Sequence, residues 1–466
     1  MYQLKKMKPM LIVALTVFMA MMSACSGNNG GNAPVTQAPA SEAPTATVAP
    51  SDEPNLPAPD LGGREIRISH WWDATPVGDS EADELARERI KKVEEKYNVK
   101  IKYLNTEYWS TSEKLSSSVM ANDPFADIVR LPDGFIWGLM NGGFLTPLED
   151  YLNNTRIAQD VIDSMRFGGE HVFGLEGWFN ANDSGMYYNK RIFKEAGLKD
   201  PQQLMDEENW NWTTMLDAAK KLTVDNNGDG KIDQYGLAGA HYTFSEQLIA
   251  SNGGLIYDEA SKKVAFDSPT AMEALNFEYE LYNTHKVIKA NEGNDWEDPA
   301  KYFAEGKIAM YPGGLWEIEG RLTDKMKDEW GYVYFPKSPN ALSFTDPLGQ
   351  TAAYVIPKGV KDAEAIVKIW EELQDFDNWQ PNRQLWLENV LPDEASIANA
   401  MNEAGKVQRV FGGRFGGLGV KDQLDAVTGK FVKGEITPST GIAQVIGPAQ
   451  AAADKVLRGE VEEKKE

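Results

Sequence analysis

Residues 64–69, Arg64-Glu65-Ile66-Arg67-Ile68-Ser69, alternate polar and apolar side chains as a half-buried strand does. Ala82, Ala86, Ile90, Val93 and Tyr97 then recur at helical spacing, and Val99, Ile101 and Tyr103 alternate again. Strand, helix and strand in so short a span make a βαβ unit, which needs a parallel sheet to receive it. A second helical pattern from Leu115 to Met120 leads to Asp127-Ile128-Val129-Arg130, a short buried strand. The region therefore predicts an α/β fold, a parallel sheet wrapped by helices.

The same signals continue along the chain. Ser268-Pro269 has the cap-then-proline form of a helix start, followed on one face by Met272, Leu275, Tyr279 and Tyr282. Ala363, Ile366, Val367, Trp370 and Leu373 make a comparable stripe, and there is no fixed-period repeat. The chain has 466 residues and 42% hydrophobic content, enough for two or three packed units. Its net charge of −23 lacks the basic footprint of a general nucleic-acid binder. Four histidines and one cysteine exclude a disulfide framework and a zinc–thiolate site.

That cysteine, Cys25, is explained by its neighbours. Lys5, Lys6 and Lys8 precede an uncharged, largely apolar run from Pro9 to Ala24, the form of a secretory signal and too short for a comfortable span. Met22-Ser23-Ala24-Cys25 resembles the lipobox of bacterial lipoproteins, which implies cleavage before Cys25 and a diacylglycerol thioether on its sulfur. Residues 1–24 are thus expected to be a signal peptide. Residues 25–60 are rich in Pro, Ala, Ser and Thr without an aromatic side chain, and predict an extended tether between a membrane anchor and the folded part.

The run Gly185-Met186-Tyr187-Tyr188-Asn189-Lys190-Arg191-Ile192-Phe193-Lys194-Glu195-Ala196-Gly197-Leu198 resembles the YYNKxxFKEAGL segment of the extracellular solute-binding proteins of ABC importers. Asn211-Trp212-Thr213-Thr214-Met215-Leu216-Asp217 resembles the helix that follows it there. Phe303-Ala304-Glu305-Gly306-Lys307-Ile308-Ala309-Met310, Gly313-Gly314-Leu315-Trp316 and Gly143-Phe144-Leu145-Thr146-Pro147-Leu148 match further segments of that family, in its carbohydrate-binding branch. The resemblance implies a two-lobed periplasmic-binding-protein-like fold of type II, with parallel-sheet lobes joined by hinge strands. Lobe one would comprise 61–180 plus 350–391, and lobe two 181–349 plus 392–466. It also implies a monomer that holds a carbohydrate, an oligosaccharide, in the cleft and presents it to the transmembrane subunits of an ABC permease.

Sugars present apolar C–H faces ringed by hydroxyls, so their sites combine flat aromatic platforms with carboxylates, amides and Arg. Trp71, Trp72 and Asp73 follow the first strand directly, where a parallel sheet opens its binding crevice; one tryptophan of the pair could equally pack under the next helix. Asp133 resembles by position the acidic cleft residue of the maltose-binding branch, and Trp137 beside it is either platform or core. Trp178 and Asn180 lie where the resemblance places the first hinge. Trp316 occupies the G-x-W position that commonly stacks on sugar in the family. Arg414 sits in Phe411-Gly412-Gly413-Arg414-Phe415-Gly416-Gly417, a glycine-rich loop suited to closing over ligand; its spacing does not fit a dinucleotide-binding G-x-G-x-x-G.

Asp225-Asn226-Asn227-Gly228-Asp229-Gly230-Lys231-Ile232-Asp233-Gln234-Tyr235-Gly236 follows the start of a calcium loop. Oxygens of Asp225, Asn227, Asp229 and Asp233 with the Lys231 carbonyl would wrap Ca2+, but Gly236 stands where a full EF-hand has its bidentate Glu. A static site completed by Gln234 or a water is the expectation, and it resembles the structural loop of alginate-binding relatives. The bland alternative is an Asx-rich turn without metal. No G-x-S-x-G, H-E-x-x-H or P-loop motif is present, so catalysis is not expected. Two other readings stay open: a secreted carbohydrate-active enzyme, whose paired carboxylates have no sequence signature, and a binding protein feeding a membrane sensor kinase.

Overall fold

The computed structural model describes residues 58–78, 80–167, 171–178, 182–239, 241–293, 297–323, 325–346, 352–409 and 419–458. The expected signal peptide, nearly all of the tether, Cys25, Asn180 and Arg414 lie outside the described residues. Asp60, the last residue of the expected tether, accepts hydrogen bonds at Oδ1 from Gly62 N at 2.8 Å and Asn98 Nδ2 at 2.7 Å.

The strands that carry the fold are β1 (Arg64–His70), β2 (Val99–Asn105), β3 (Ile128–Pro132), β4 (Ser184–Asn189), β5 (Tyr235–Ala238), β6 (Ile288–Lys289), β7 (Ile308–Gly314), β8 (Trp330–Tyr334) and β9 (Ala352–Val355). Helices used below are α1 (Glu81–Tyr97), α2 (Asp133–Asn141), α3 (His241–Ser251), α4 (Pro269–Tyr279), α5 (Ala363–Leu373), α6 (Trp379–Val390), α7 (Glu394–Ala400), α8 (Val420–Phe431) and α9 (Pro438–Leu457).

The opening βαβ unit forms as read. Ile66 and Ile68 are buried, Ser80 caps α1 by accepting from Asp83 N, and Asn98 at φ +49° ends the helix so that β2 starts at once. Ile66 pairs with Ile101 in parallel register. The predicted helical stripe is only half realised: Val93 and Tyr97 are buried, Ala86 and Ile90 half-buried, and Ala82 exposed. The cause is where α5 touches. Arg89 reaches Asp375, just past the end of α5, at 3.2 Å and the Tyr97 hydroxyl donates to Glu372 at 2.7 Å, so these contacts fall on the later turns of α1 while Ala82 in the first turn stays exposed.

Lobe one has sheet order β9-β3-β1-β2, and lobe two β6-β5-β7-β4-β8. Each is parallel except for one strand: β9 runs antiparallel to β3, and β4 antiparallel to β7 and β8. This departs from wholly parallel sheets for a topological reason. A strand that arrives from the other lobe starts at the edge where its neighbours end, so it must run against them; β4 begins just after one passage between lobes and β9 just after another.

The tail, expected to belong to lobe two, is mainly helical among the described residues, with one short strand at Val407–Arg409. α7 packs on β8, α8 on α3, and α9 on α8, α4 and also on α2 of lobe one. Where α3, α4 and α8 meet, a polar cluster is buried. Ser245 Oγ donates to Glu278 Oε2 at 2.6 Å, and Lys421 Nζ bridges Glu246 at 2.6 Å and Asp425 at 3.0 Å. Burial pushes the Glu278 carboxyl up to about 8 and that of Asp425 to about 7, in the latter case against the attraction of Lys421.

Folded Glu278 therefore keeps its proton after the unfolded chain, with its ordinary value of 4.5, has lost one. Its contribution to stability is complete below pH 4.5 and declines as pH rises to about 8, by at most about 1.4 kcal/mol per pH unit. Glu278→Gln, neutral at every pH, should flatten that part of the decline when urea unfolding is followed between pH 5 and 8. Parallel stability–pH curves for the two proteins would show that Glu278 is ionised in the fold.

Candidate functional site

The site is framed by the passages between the lobes. Leu175 and Tyr354 exchange backbone hydrogen bonds at 2.7 and 2.9 Å, pairing the two passages on the lobe-one side. On the lobe-two side, buried Asp346 accepts from Asp183 N at 3.0 Å and from the Ser184 hydroxyl. The Asp183 carbonyl accepts from Leu315 N at 2.8 Å, and its carboxylate is held by Arg383 of α6 at 2.7 Å. Trp178 stacks on Trp379 of the same helix, with centroids 5.3 Å apart and planes 10° apart. Of the predicted hinge residues, Trp178 thus has one face committed to α6.

At the carboxyl edge of lobe one, aromatic rings form a connected ridge. Trp72 packs edge-on against Trp71 at 4.9 Å, Trp71 against Tyr108 at 5.6 Å, and Tyr108 against Trp109 at 4.8 Å. Phe135 lies behind both Tyr108 and Trp109, at 5.4 and 6.2 Å. Trp72 is 42% exposed and Trp109 63%. Asp73 turns into its own loop and accepts from Thr75 N at 3.0 Å; hydrogen bonds from Thr75 hold its carboxyl below the ordinary range.

Beneath the ridge is a charged but closed floor. His70 is buried against Trp72, Tyr103 and Tyr354, and burial followed by the Arg130 charge pushes its pKa down to about 4, so it is neutral. The Arg130 guanidinium lies 4.6 Å from the centre of the Tyr354 ring and pairs with Glu176 at 3.3 Å. Burial disfavours its charge, yet Glu176, Tyr354 and Asp133 together hold its pKa above the ordinary value. Asp133, at the first position of α2, is buried; Trp137 is buried too and belongs to the core.

In lobe two, β7 ends in Gly313-Gly314, and Leu315-Trp316 follow directly. Trp316 is 57% exposed and has the Arg321 guanidinium 4.7 Å from its ring centre. Arg321 is itself fixed by Glu317 at 2.8 Å, and buried Glu317 accepts from Gly314 N at 2.9 Å and from the Tyr311 hydroxyl. Tyr187 donates to the Gly314 carbonyl at 2.8 Å. A Cβ on Gly314 would lie 2.5 Å from Trp316 Nε1, so the indole can fold over this turn only because the residue is glycine. The result is a rigid ring projecting from a braced turn.

The predicted calcium residues share one exposed loop, but their oxygens face the loop's own amides. Asp225 accepts from Gly228 N at 2.7 Å and Gly230 N at 2.8 Å, Asn227 from Asp229 N at 2.8 Å, and Asp229 from Lys231 N at 2.8 Å. Asp233 accepts from Asn226 N at 2.8 Å, while Gln234 donates away from the loop to the Leu222 carbonyl at 2.9 Å. Among the described residues no group of three or more His, Cys, Asp or Glu side chains converges to hold a metal ion.

Sequence reasoning does not single out Tyr108, Trp109, Phe135, Arg321 or Arg383. A signal for the first two was available, since they follow β2 closely, as Trp71 and Trp72 follow β1. Nothing local marks Arg383, whose partner Asp183 lies in a distant part of the chain.

Aromatic rings at the carboxyl edges of the two sheets, with paired charged groups near them, suit capture of a ligand. Comparison with known proteins agrees. The chain is 24% identical over 251 residues to the multiple sugar-binding protein of Streptococcus mutans, covering 50% of this chain and 53% of that protein. It is 24% identical over 220 residues to the arabinooligosaccharide-binding protein of Halalkalibacterium halodurans, covering 46% and 44%. The chain thus spans about half the length of these relatives. The fold is that of the sugar-binding protein MalE from Xanthomonas citri, with a TM-score of 0.63 at 17% identity over 84% of this chain and 98% of that one; it is the two-lobed, type II periplasmic-binding arrangement. Residues 75–379, more than half of the chain, match the model of the bacterial extracellular solute-binding proteins, and with the two-lobed fold and its cleft-edge aromatics this shows that the chain belongs to that family.

Proposed function

We propose that this protein is a lipid-anchored, extracytoplasmic binding protein that captures a carbohydrate, an oligosaccharide, between its lobes and delivers it to the membrane subunits of an ABC permease. The observation that carries the reading is the pair of exposed, braced indoles, Trp72 and Trp316, on the carboxyl edges of the two sheets. A pyranose gripped from both lobes makes contacts that only the closed form offers, which is what shifts an open–closed equilibrium. The sugar-binding names of the relatives support the same class of ligand. The lipobox-like Met22-Ser23-Ala24-Cys25 supports the anchor, and among the described residues no helix is long and apolar enough to cross a membrane. Mass spectrometry of the membrane-derived protein would find an acylated N-terminal Cys25.

Calorimetric titration with a panel of mono- and oligosaccharides, with the mixtures then analysed for cleavage, tests the reading. Saturable binding without product is expected; product would make the chain an enzyme. For the ligand so found, Trp316→Ala should weaken binding by about 1–3 kcal/mol with little change in melting temperature. Unchanged affinity would mean that Trp316 does not stack on ligand.

Calcium binding at Asp225, Asn227, Asp229 and Asp233 is likewise our proposal, supported by the composition of the loop. The cation would have to recruit carboxylate lone pairs that the loop amides leave over. Millimolar Ca2+ should then raise the melting temperature and Asp229→Ala should abolish that rise. A melting curve indifferent to both Ca2+ and chelator would dispose of the site.

A further inference from the structure

A groove of about 580 Å3 runs between the helix Trp212–Leu222 and α4 on lobe two. The first of these helices meets the sheet through Ala219, since a Cβ on Gly236 of β5 would lie 2.3 Å from Ala219 Cα. Leu216 and Asp217 line the groove on the sides that the sheet leaves open, and Met272 and Phe277 face them from α4. None of the lining residues belongs to lobe one or to the turn that carries Trp316.

The floor is aromatic and fixed. Trp212 stacks on Phe277, with centroids 4.7 Å and planes 4° apart, and its Nε1 donates to Ser251 Oγ at 3.1 Å, so the pair ties the two helices together. Pro339 lines the groove from a turn that is braced on both sides: Trp212 N donates to the Lys337 carbonyl at 3.0 Å, and Ser338 N to the Ser251 carbonyl at 3.1 Å. Leu342, three residues further on, is 98% exposed.

The charge of the lining has one sign. Asp217, Glu273 and Glu280 are all exposed along the groove, and no Lys, Arg or His lines it; Lys220 and Lys221, in the last turn of the first helix, stand outside it. An apolar floor with an acidic rim is complementary to apolar side chains flanked by Lys or Arg. The chain's own terminal segments lack that chemistry. Residues 26–57 contain Glu42, Asp52 and Glu53 without any Lys or Arg, and residues 459–466 carry four Glu against two Lys. A second copy brings the same net charge of −23.

We propose that this groove docks a cationic amphipathic helix of another protein, with its apolar face on Trp212, Phe277 and Met272 and its Lys or Arg side chains beside Asp217, Glu273 and Glu280. Two helices flanking a groove receive a third by laying its apolar stripe between them. The inference concerns a face apart from the aromatic edges of the two sheets and does not depend on the saccharide reading.

The test is fluorescence anisotropy at about 150 mM salt, where long-range attraction is screened. The probe is a labelled helical peptide of about 14 residues with Leu on one face and Lys on the other, with its Leu and Glu counterpart as the control. Saturable one-to-one binding of the Lys peptide and none of the Glu peptide is expected. The double variant Asp217→Asn, Glu280→Gln should weaken binding about fivefold to tenfold, and Met272→Ala should weaken it as well. Glu88→Gln with Glu95→Gln, which removes two exposed charges from α1 of lobe one, should leave it unchanged. An equal loss in the α1 variant would mean that net charge alone attracts the peptide, and would overturn the docking site. Absence of binding overturns it too, as does an affinity that neither groove variant changes. If light scattering shows the protein dimerising, and the Asp217→Asn, Glu280→Gln variant shifts that equilibrium, the groove belongs to a second copy and the proposal falls.

Discussion

Asp346 ties two passages of the chain to one point. Its carboxyl group is fully buried and accepts from Asp183 N and the Ser184 hydroxyl, so holding both passages together offsets part of the cost of taking that polar group out of water. Arg383 extends the knot by holding the Asp183 side chain, and with Trp379 under Trp178 it brings a third passage, α6, onto the same place. Everything that makes a cleft follows from this. The strands that enter from the passages run antiparallel to their neighbours, and the parallel strands deliver their ends to the same edge, where Trp72 and Trp316 project.

The two edges use different means to the same end. Trp316 is fixed from below by polar groups, with Arg321 beside the ring and Glu317 linking that guanidinium to the Gly314 amide. Trp72 is fixed by its neighbours in an aromatic ridge over a buried, neutral His70 and a charged Arg130 closed off by Glu176. Both arrangements order the platform before any ligand arrives, which lowers the ordering cost at the moment of binding. The acidic surface, for its part, has little to do with the cleft; the charged groups under the ridge are already paired.

Much of the fold could be read in the sequence because it is written in local periodicity. Ile66, Ile68 and Ile101 alternate, Val93 and Tyr97 recur at helical spacing, and the β-strands and helix follow directly. What escaped is what depends on distant contacts or on polarity used against type. Ala82 belongs to the stripe of α1 but is exposed, while the ion pair and hydrogen bond toward α5 fall on the later turns. Glu278 lies on the buried face of α4, and a glutamate in a helix reads as solvent-facing until Ser245 and Asp425 are placed beside it. Trp178 reads as a hinge residue, and its stacking partner Trp379 lies in a helix with no clear apolar stripe. The loop from Asp225 to Gly236 shows the converse: its composition is legible, but where the carboxylate oxygens point is set by side-chain torsions, and here they accept from backbone amides.

In the proposed function ligand is held by both lobes at once, so that binding and closure are one event. Small-angle X-ray scattering of the protein, with and without a saturating concentration of the saccharide identified by calorimetry, measures this directly. A smaller radius of gyration is expected in the saturated sample, and in Trp316→Ala the same decrease is expected only at a higher ligand concentration, shifted by the loss of affinity. A saturated wild-type protein whose scattering curve superimposes on that of the free protein would contradict it, because the ligand would then be bound by one lobe alone.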